Sequence, residues 1–183
     1  MILTHKKIYT IDDIYALPDG ERAELIDGQI YYMAPPSRKH QTIARELFSS
    51  INSYIKSKGG SCESFFAPFA VFLNENNITY VEPDICVICD PAKLNDKGCI
   101  GAPDWIIEIV SPRSRRLDYY TKLSLYHVAN VREYWIVDPM KQTILVYDME
   151  HDSAPMIYSF TDSVKVHIYD DLSIHFSELD FDI

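Results

Sequence analysis

No stretch of this 183-residue chain is apolar over the roughly 18–20 residues that cross a bilayer. The opening MILTHKKIYT also lacks the long apolar segment and small-residue cleavage site of an export signal. The expectation is therefore a cytoplasmic protein with no membrane contact. Phosphate-cradling glycine loops are missing too. Among only 6 glycines there is neither a GxxxxGK[ST] nor a GxGxxG, and HExxH and GxSxG are also absent. Walker-type nucleotide hydrolysis, dinucleotide redox chemistry and serine hydrolysis thus lack support.

Basic residues are scarce: 17 Lys and Arg stand against 27 Asp and Glu, a formal charge of −10. Such a surface repels phosphates at long range, which argues against a generic polyanion binder but leaves room for a local basic site. Cysteine is limited to positions 62, 86, 89 and 99. Cys86-x-x-Cys89 has half the spacing of a zinc site, but ICVIC is β-branched, and residues three apart on a strand face opposite ways. Without a second Cys or His pair, the four are read as small buried thiols.

What the chain does contain is enough apolar sequence, 47%, for one domain over residues 1–183 with a sizeable core. Thr10-Ile-Asp-Asp13 resembles a capping box and opens a short helix ending near Pro18. RAELIDGQIYYMA (22–34) is a hairpin signal around Asp27-Gly28. Apolar residues at 43, 47, 48, 51, 54 and 55 predict a helix from about 38 to 58, stopped by Gly59-Gly60. Residues 64–73 and 79–89 read as strands joined by the Asn-rich turn 74–77, with Pro68 marking a bulge or an edge. Residues 90–103 read as a polar loop. Strands are predicted at 104–110, 132–138 and 143–149, with a helix from about 114 to 129 between the first two and short strands in the tail. The sum is an α/β (α+β) fold, a central mixed sheet flanked by helices with additional hairpins.

The strand DWIIEIV (104–110) is built for burial yet carries Glu108, and an unpartnered buried charge costs several kcal/mol, roughly. Asp104, Ile106, Glu108 and Val110 share one face of it. The preceding strand brings Asp84, and the two carboxylates meet at the sheet's end if these strands are neighbours. A hard divalent cation such as Mg²⁺, with Mn²⁺ as its substitute, prefers oxygen ligands of this kind. Asp118, Lys122 and Tyr126 are spaced i, i+4, i+8 and share one helix face. Arg113, Arg115 and Arg116 gather at the start of that helix, where its dipole favours anions.

Asp84…Glu108-Ile109-Val110 resembles the PD-(D/E)xK nuclease motif. More closely, ELIDG, PPSRKH, EPDICVI, PDWIIEIVSP, the D-x3-K-x3-Y helix and REYWIVDP resemble, in order, the Uma2 family, a group assigned to restriction endonucleases. The resemblance implies a restriction-endonuclease-like fold and Mg²⁺-dependent hydrolysis of phosphodiester bonds in nucleic acid, with DNA as the expected substrate and a homodimer as a plausible assembly. It further implies that Asp84, Glu108 and the Ile109 carbonyl hold the metal. Val110 stands where the usual motif has its lysine, and Lys122 is the substitute from the following helix. Glu24 resembles an additional N-terminal acid, His40 the family's histidine at the start of the long helix, and Tyr126 a phosphate contact.

Blander readings stand beside these. Lys122 is also spaced to pair with Asp118, and Glu24 to pair with Arg22 across the hairpin. Arg113, Arg115 and Arg116 also fit a solvated face, and Tyr126 fits simple packing. The alternative to a nuclease is a catalytically inactive scaffold of the same fold that binds a protein or nucleic-acid partner. A two-carboxylate glycosidase would need an aromatic-lined groove between its acids.

Overall fold

WIIEI and EYWIVD are nearly unbroken apolar runs, the pattern of strands covered on both faces. In the computed structural model, which describes residues 7–74 and 76–181, every residue of these two strands is buried. They are β8 (Trp105–Ile109) and β9 (Glu133–Asp138) of a chain whose other strands are β1 (Ala23–Ile26), β2 (Gln29–Tyr32), β3 (Glu63–Phe66), β4 (Val71–Phe72), β5 (Ile85–Ile88), β6 (Leu94–Asn95), β7 (Gly98–Ile100), β10 (Thr143–Asp148), β11 (Met156–Ser159), β12 (Ser163–Lys165) and β13 (Ser173–His175). A six-stranded mixed sheet runs β11-β10-β9-β8-β5-β3, parallel at β8–β9 and antiparallel elsewhere.

Helices cover both faces of this sheet. The 21-residue helix α2 (Arg38–Lys58) presents Ile43, Leu47, Ile51 and Ile55 to Trp105, Ile107 and Trp135. Gly59 ends it in the left-handed conformation, φ 64°. The opposite face packs Ile106, Val110 and Ile136 against Leu125 and Tyr126 of α3, a helix that begins as a π-helical segment (Leu117–Lys122) and continues as α-helix (Leu123–Val128). Before both lies α1 (Ile11–Tyr15), where the Asp13 carboxylate accepts the Thr10 backbone N–H at 2.8 Å, as the capping-box reading requires. The β1–β2 hairpin turns at Asp27 and Gly28, both with positive φ. No helix among the described residues is long and apolar enough to cross a membrane.

Four sequence expectations are corrected. The run 64–73 is two strands: β3 ends before Pro68, which cannot donate to a ladder, and β4 joins a separate small sheet, β4-β7-β6. Likewise 79–89 is two isolated bridges, through Tyr80 and Val81, followed by β5. The expected turn at 74–77 includes residue 75, outside the described residues. The loop at 90–103 contains the hairpin β6–β7, too short for any periodicity to show. Gly98 sits so close to β4's approach that a Cβ there would lie 2.2 Å from the Ala70 carbonyl oxygen, so only glycine permits this pairing.

The fourth correction concerns cysteine. Cys86 and Cys99 are free and buried, but Cys62 and Cys89 form a disulfide. Glu63 pairs with Ile88, so the next position out places 62 opposite 89. A separation of 27 residues gave no hint of that. Disulfides are uncommon in the cytosol, which makes the bond worth counting. In denaturant without reductant, thiol titration is expected to find two reactive cysteines, rising to four after reduction. Four at the outset would remove the bridge.

Candidate active site

The central strands end where the acids gather. Ile85 pairs with Ile107 and Cys86 with Ile106, and one further step of that antiparallel register sets Asp84 across from Glu108. Residues directly opposite share a sheet face, so the two carboxylates converge as the sequence suggested. Asp84 Oδ2 accepts the Ile109 backbone N–H at 2.8 Å and lies 3.1 Å from His40 Nε2. His40 is placed by the start of α2, where its backbone N–H donates to the capping Ser37 hydroxyl at 3.2 Å. Burial pushes the His40 pKa down, but hydrogen bonding and charge from Asp84, with the Ile109 carbonyl, outweigh it and hold it above the ordinary histidine value.

Lys122 answers the question Glu108 raised. Its Nζ lies 2.8 Å from Glu24 Oε2, 2.9 Å from Glu108 Oε1 and 3.9 Å from Asp118 Oδ1. The Tyr126 hydroxyl donates to the same Glu108 oxygen at 2.7 Å. Asp118, Lys122 and Tyr126 do share one helix face, and all three are buried, as are Glu24 and Glu108. Three carboxylates around one ammonium leave the cluster short of positive charge. Burial, together with Asp84, Glu24 and Asp118, therefore raises the Glu108 pKa against the pull of Lys122. Burial likewise brings Asp118 up to about 6. Burial alone would neutralise Lys122, but Glu108, Glu24 and Asp118 raise its pKa well above the ordinary lysine value and keep it charged.

Glu24 is fixed by a second link, since its Oε1 accepts the Glu82 backbone N–H at 3.0 Å. It does not pair with Arg22. Arg22 reaches Glu82 instead, and Tyr80 donates to that carboxylate at 2.6 Å. The Tyr80–Glu82–Arg22 group went unread in the sequence. Its signal was the spacing Tyr80, Glu82, Asp84, three polar-tipped residues on one side of an extended segment, beside Arg22 and Glu24 on one side of β1.

A cleft of about 1400 Å³ opens above this floor. Arg113 and Arg116 line its rim, and Lys39 and His40 flank it. Arg115 does not line it: its guanidinium turns to Asp138, 3.0 Å away, beside the Tyr119 hydroxyl. Tyr126 is corrected as well. It is fully buried behind Glu108 and has no surface to offer a phosphate. Val110, at the usual lysine position, is a buried core residue.

The oxygen donors available for a hard cation are the Asp84 and Glu108 carboxylates and the Ile109 carbonyl. They fit Mg²⁺ by chemistry. Among the described residues no group of three or more His, Cys, Asp or Glu is arranged around a common ligand position, so water and substrate oxygens would complete the shell.

Comparison with known proteins adds three findings. A model of the Uma2 family, described as “Putative restriction endonuclease”, matches residues 11–175. “Uncharacterized protein slr1290” of Synechocystis is 28% identical over 149 residues, 81% of this chain and 77% of its own length. The crystal structure of “a putative nuclease belonging to DUF820” from Anabaena variabilis superposes with a TM-score of 0.75 over 93% of this chain and 96% of its own, at 24% identity, a likeness of fold.

Proposed function

The chain belongs to the Uma2 family, and on that premise we propose that its cleft is the active site of a Mg²⁺-dependent endonuclease of restriction-endonuclease type, hydrolysing phosphodiester bonds of nucleic acid, with DNA as substrate. The observation that carries the reading is the meeting of Asp84, Glu108 and Lys122 on the floor of one cleft, from two neighbouring strands and the helix that follows them. A bound Mg²⁺ would lower the pKa of a water and polarise a phosphoryl oxygen. Lys122 brings a fixed positive charge to the place where phosphate charge develops. Glu24 and Asp118 hold that ammonium in register. Tyr126 fixes the rotamer of Glu108, and His40 with the Ile109 N–H fixes that of Asp84. Glu24, Asp118, Tyr126 and His40 are positioning residues, since none of them is a ligand or touches the scissile group in this reading.

One observation favours the second reading, a non-catalytic scaffold. Lys122 already pairs with Glu24 and Glu108, giving these two acids a cation without metal.

The deciding experiment follows supercoiled plasmid in Mg²⁺ or Mn²⁺ alongside calorimetric titration of Mn²⁺. Wild type is expected to nick the plasmid, to stop with chelator and to bind Mn²⁺ at one site. A folded Asp84→Ala variant is expected to lose that site and about 10²–10³-fold in rate. Absence of both binding and cleavage in folded wild type would hand the protein to the scaffold reading.

A further inference from the structure

The rim of the cleft is made of two chemically different segments. One is the end of β2 and the chain beyond it, where Tyr31 and Tyr32 are exposed, Tyr32 by 67%. Neither tyrosine hydroxyl has a hydrogen-bond partner among the described residues. Met33, Ala34, Pro35 and Pro36 continue this segment without a charge. The other is the stretch into α3, with the exposed side chains of Arg113 and Arg116, joined by Lys39 from α2. None of these three cations makes an ion pair among the described residues, whereas the cations deeper in the cleft, Arg22 and Lys122, are both paired with acids. Negative charge in the cleft is therefore confined to the floor, and unpaired positive charge to the rim.

Resting on the proposed reading of the floor, we infer that the cleft takes a single strand of nucleic acid, or an unpaired stretch of one, with its backbone on Arg113, Arg116 and Lys39 and a base stacked on Tyr31 or Tyr32. A duplex presents phosphates on both strands and keeps its bases inside, so it offers the tyrosine segment nothing to stack on and no charge partner there. A single strand turns backbone to one side and bases to the other, which is the division the rim shows. Aromatic faces beside a basic track are the general chemistry of single-strand binding. The charge of −10 adds to the preference, because it opposes the densely charged duplex more than the strand.

The test is fluorescence anisotropy of a labelled 20-nucleotide DNA strand, the same sequence as RNA, and the blunt DNA duplex, all in chelator so that nothing is cut. Wild type is expected to hold one of the single strands about tenfold more tightly than the duplex, and the stronger of the two identifies the sugar. Replacing both tyrosines, Tyr31→Ala with Tyr32→Ala, is expected to weaken the strand about tenfold and leave the duplex unchanged, while the paired Phe variants keep wild-type affinity. Arg113→Ala with Arg116→Ala is expected to weaken binding and flatten its salt dependence. Equal or tighter duplex binding, or indifference to loss of the tyrosines, overturns the inference. Cleavage of the same three probes in Mg²⁺ separates the two readings. Duplex bound and cut, with neutral tyrosine variants, would sink the strand preference and keep the nuclease. Strand binding through the tyrosines with no cutting would keep the preference and sink the nuclease. No binding to any probe overturns both.

Discussion

Lys122→Met is expected to reduce cleavage about 10²–10³-fold and to lower stability by about 3–5 kcal/mol, the cost of stripping the partner from buried charges. Methionine matches the length of the lysine stem, so the buried volume at position 122 stays filled and the loss reports the ammonium itself. Glu24, Glu108 and Asp118 would then face one another without a cation. Their pKa values, already raised at Glu108 and Asp118, rise further. A carboxyl whose folded pKa exceeds its unfolded value adds stability at low pH, which is lost as pH rises through the folded pKa. Asp118 in the wild type does this between its ordinary 3.8 and about 6. The deficit of Lys122→Met relative to wild type should therefore be smallest near pH 4 and largest above pH 7. Urea unfolding across that range checks it. A pH-independent deficit would mean that Lys122 contributes stem packing and little charge.

Glu108→Gln separates chemistry from stability in the opposite way. The amide keeps an oxygen for the Tyr126 hydroxyl and for Lys122, and Glu24 still holds the ammonium at 2.8 Å. Stability at pH 7 should stay within about 1 kcal/mol of wild type, since a costly buried charge leaves while the hydrogen bonds to its oxygen persist in weaker, neutral form. Because the raised Glu108 pKa makes wild type lose stability as pH rises, the variant should show a shallower decline. Cleavage, by contrast, should drop about 10²–10³-fold along with Mn²⁺ affinity. A folded variant that cuts plasmid at the wild-type rate would exclude Glu108 from the reaction.

The parts legible in the sequence are those where one local rule acts alone. The stripe of Ile43, Leu47, Ile51 and Ile55, the Asp27-Gly28 turn and the buried runs around Trp105 and Trp135 each needed a single periodicity or turn rule. The Asp84–Glu108 meeting followed from strand adjacency and so was legible as well, whereas the place of Lys122 beside them was what the family resemblance implied. What escaped needed long-range partners. Glu82, 60 residues from Arg22, takes the cation that proximity would have given to Glu24. Cys89 finds Cys62 only through the pairing of β3 with β5. Tyr126 and Arg115 carried the right chemistry for substrate but turn to Glu108 and Asp138 instead, partners that no local spacing shows, while the π-helical segment between them carries Lys122.

That segment divides the site between two kinds of scaffold. Asp84 and Glu108 sit on neighbouring strands of the six-stranded sheet, whereas the ammonium rides on the helix that follows them. One residue inserted in α3 ahead of Lys122 would swing its side chain away from the acids while leaving β5, β8 and their carboxylates in place. Insertions and deletions here therefore strike the amine and its buried ion pairs while sparing the sheet. Relatives that differ in the length of this helix are expected to keep the sheet and the cleft while gaining or losing the amine at its floor.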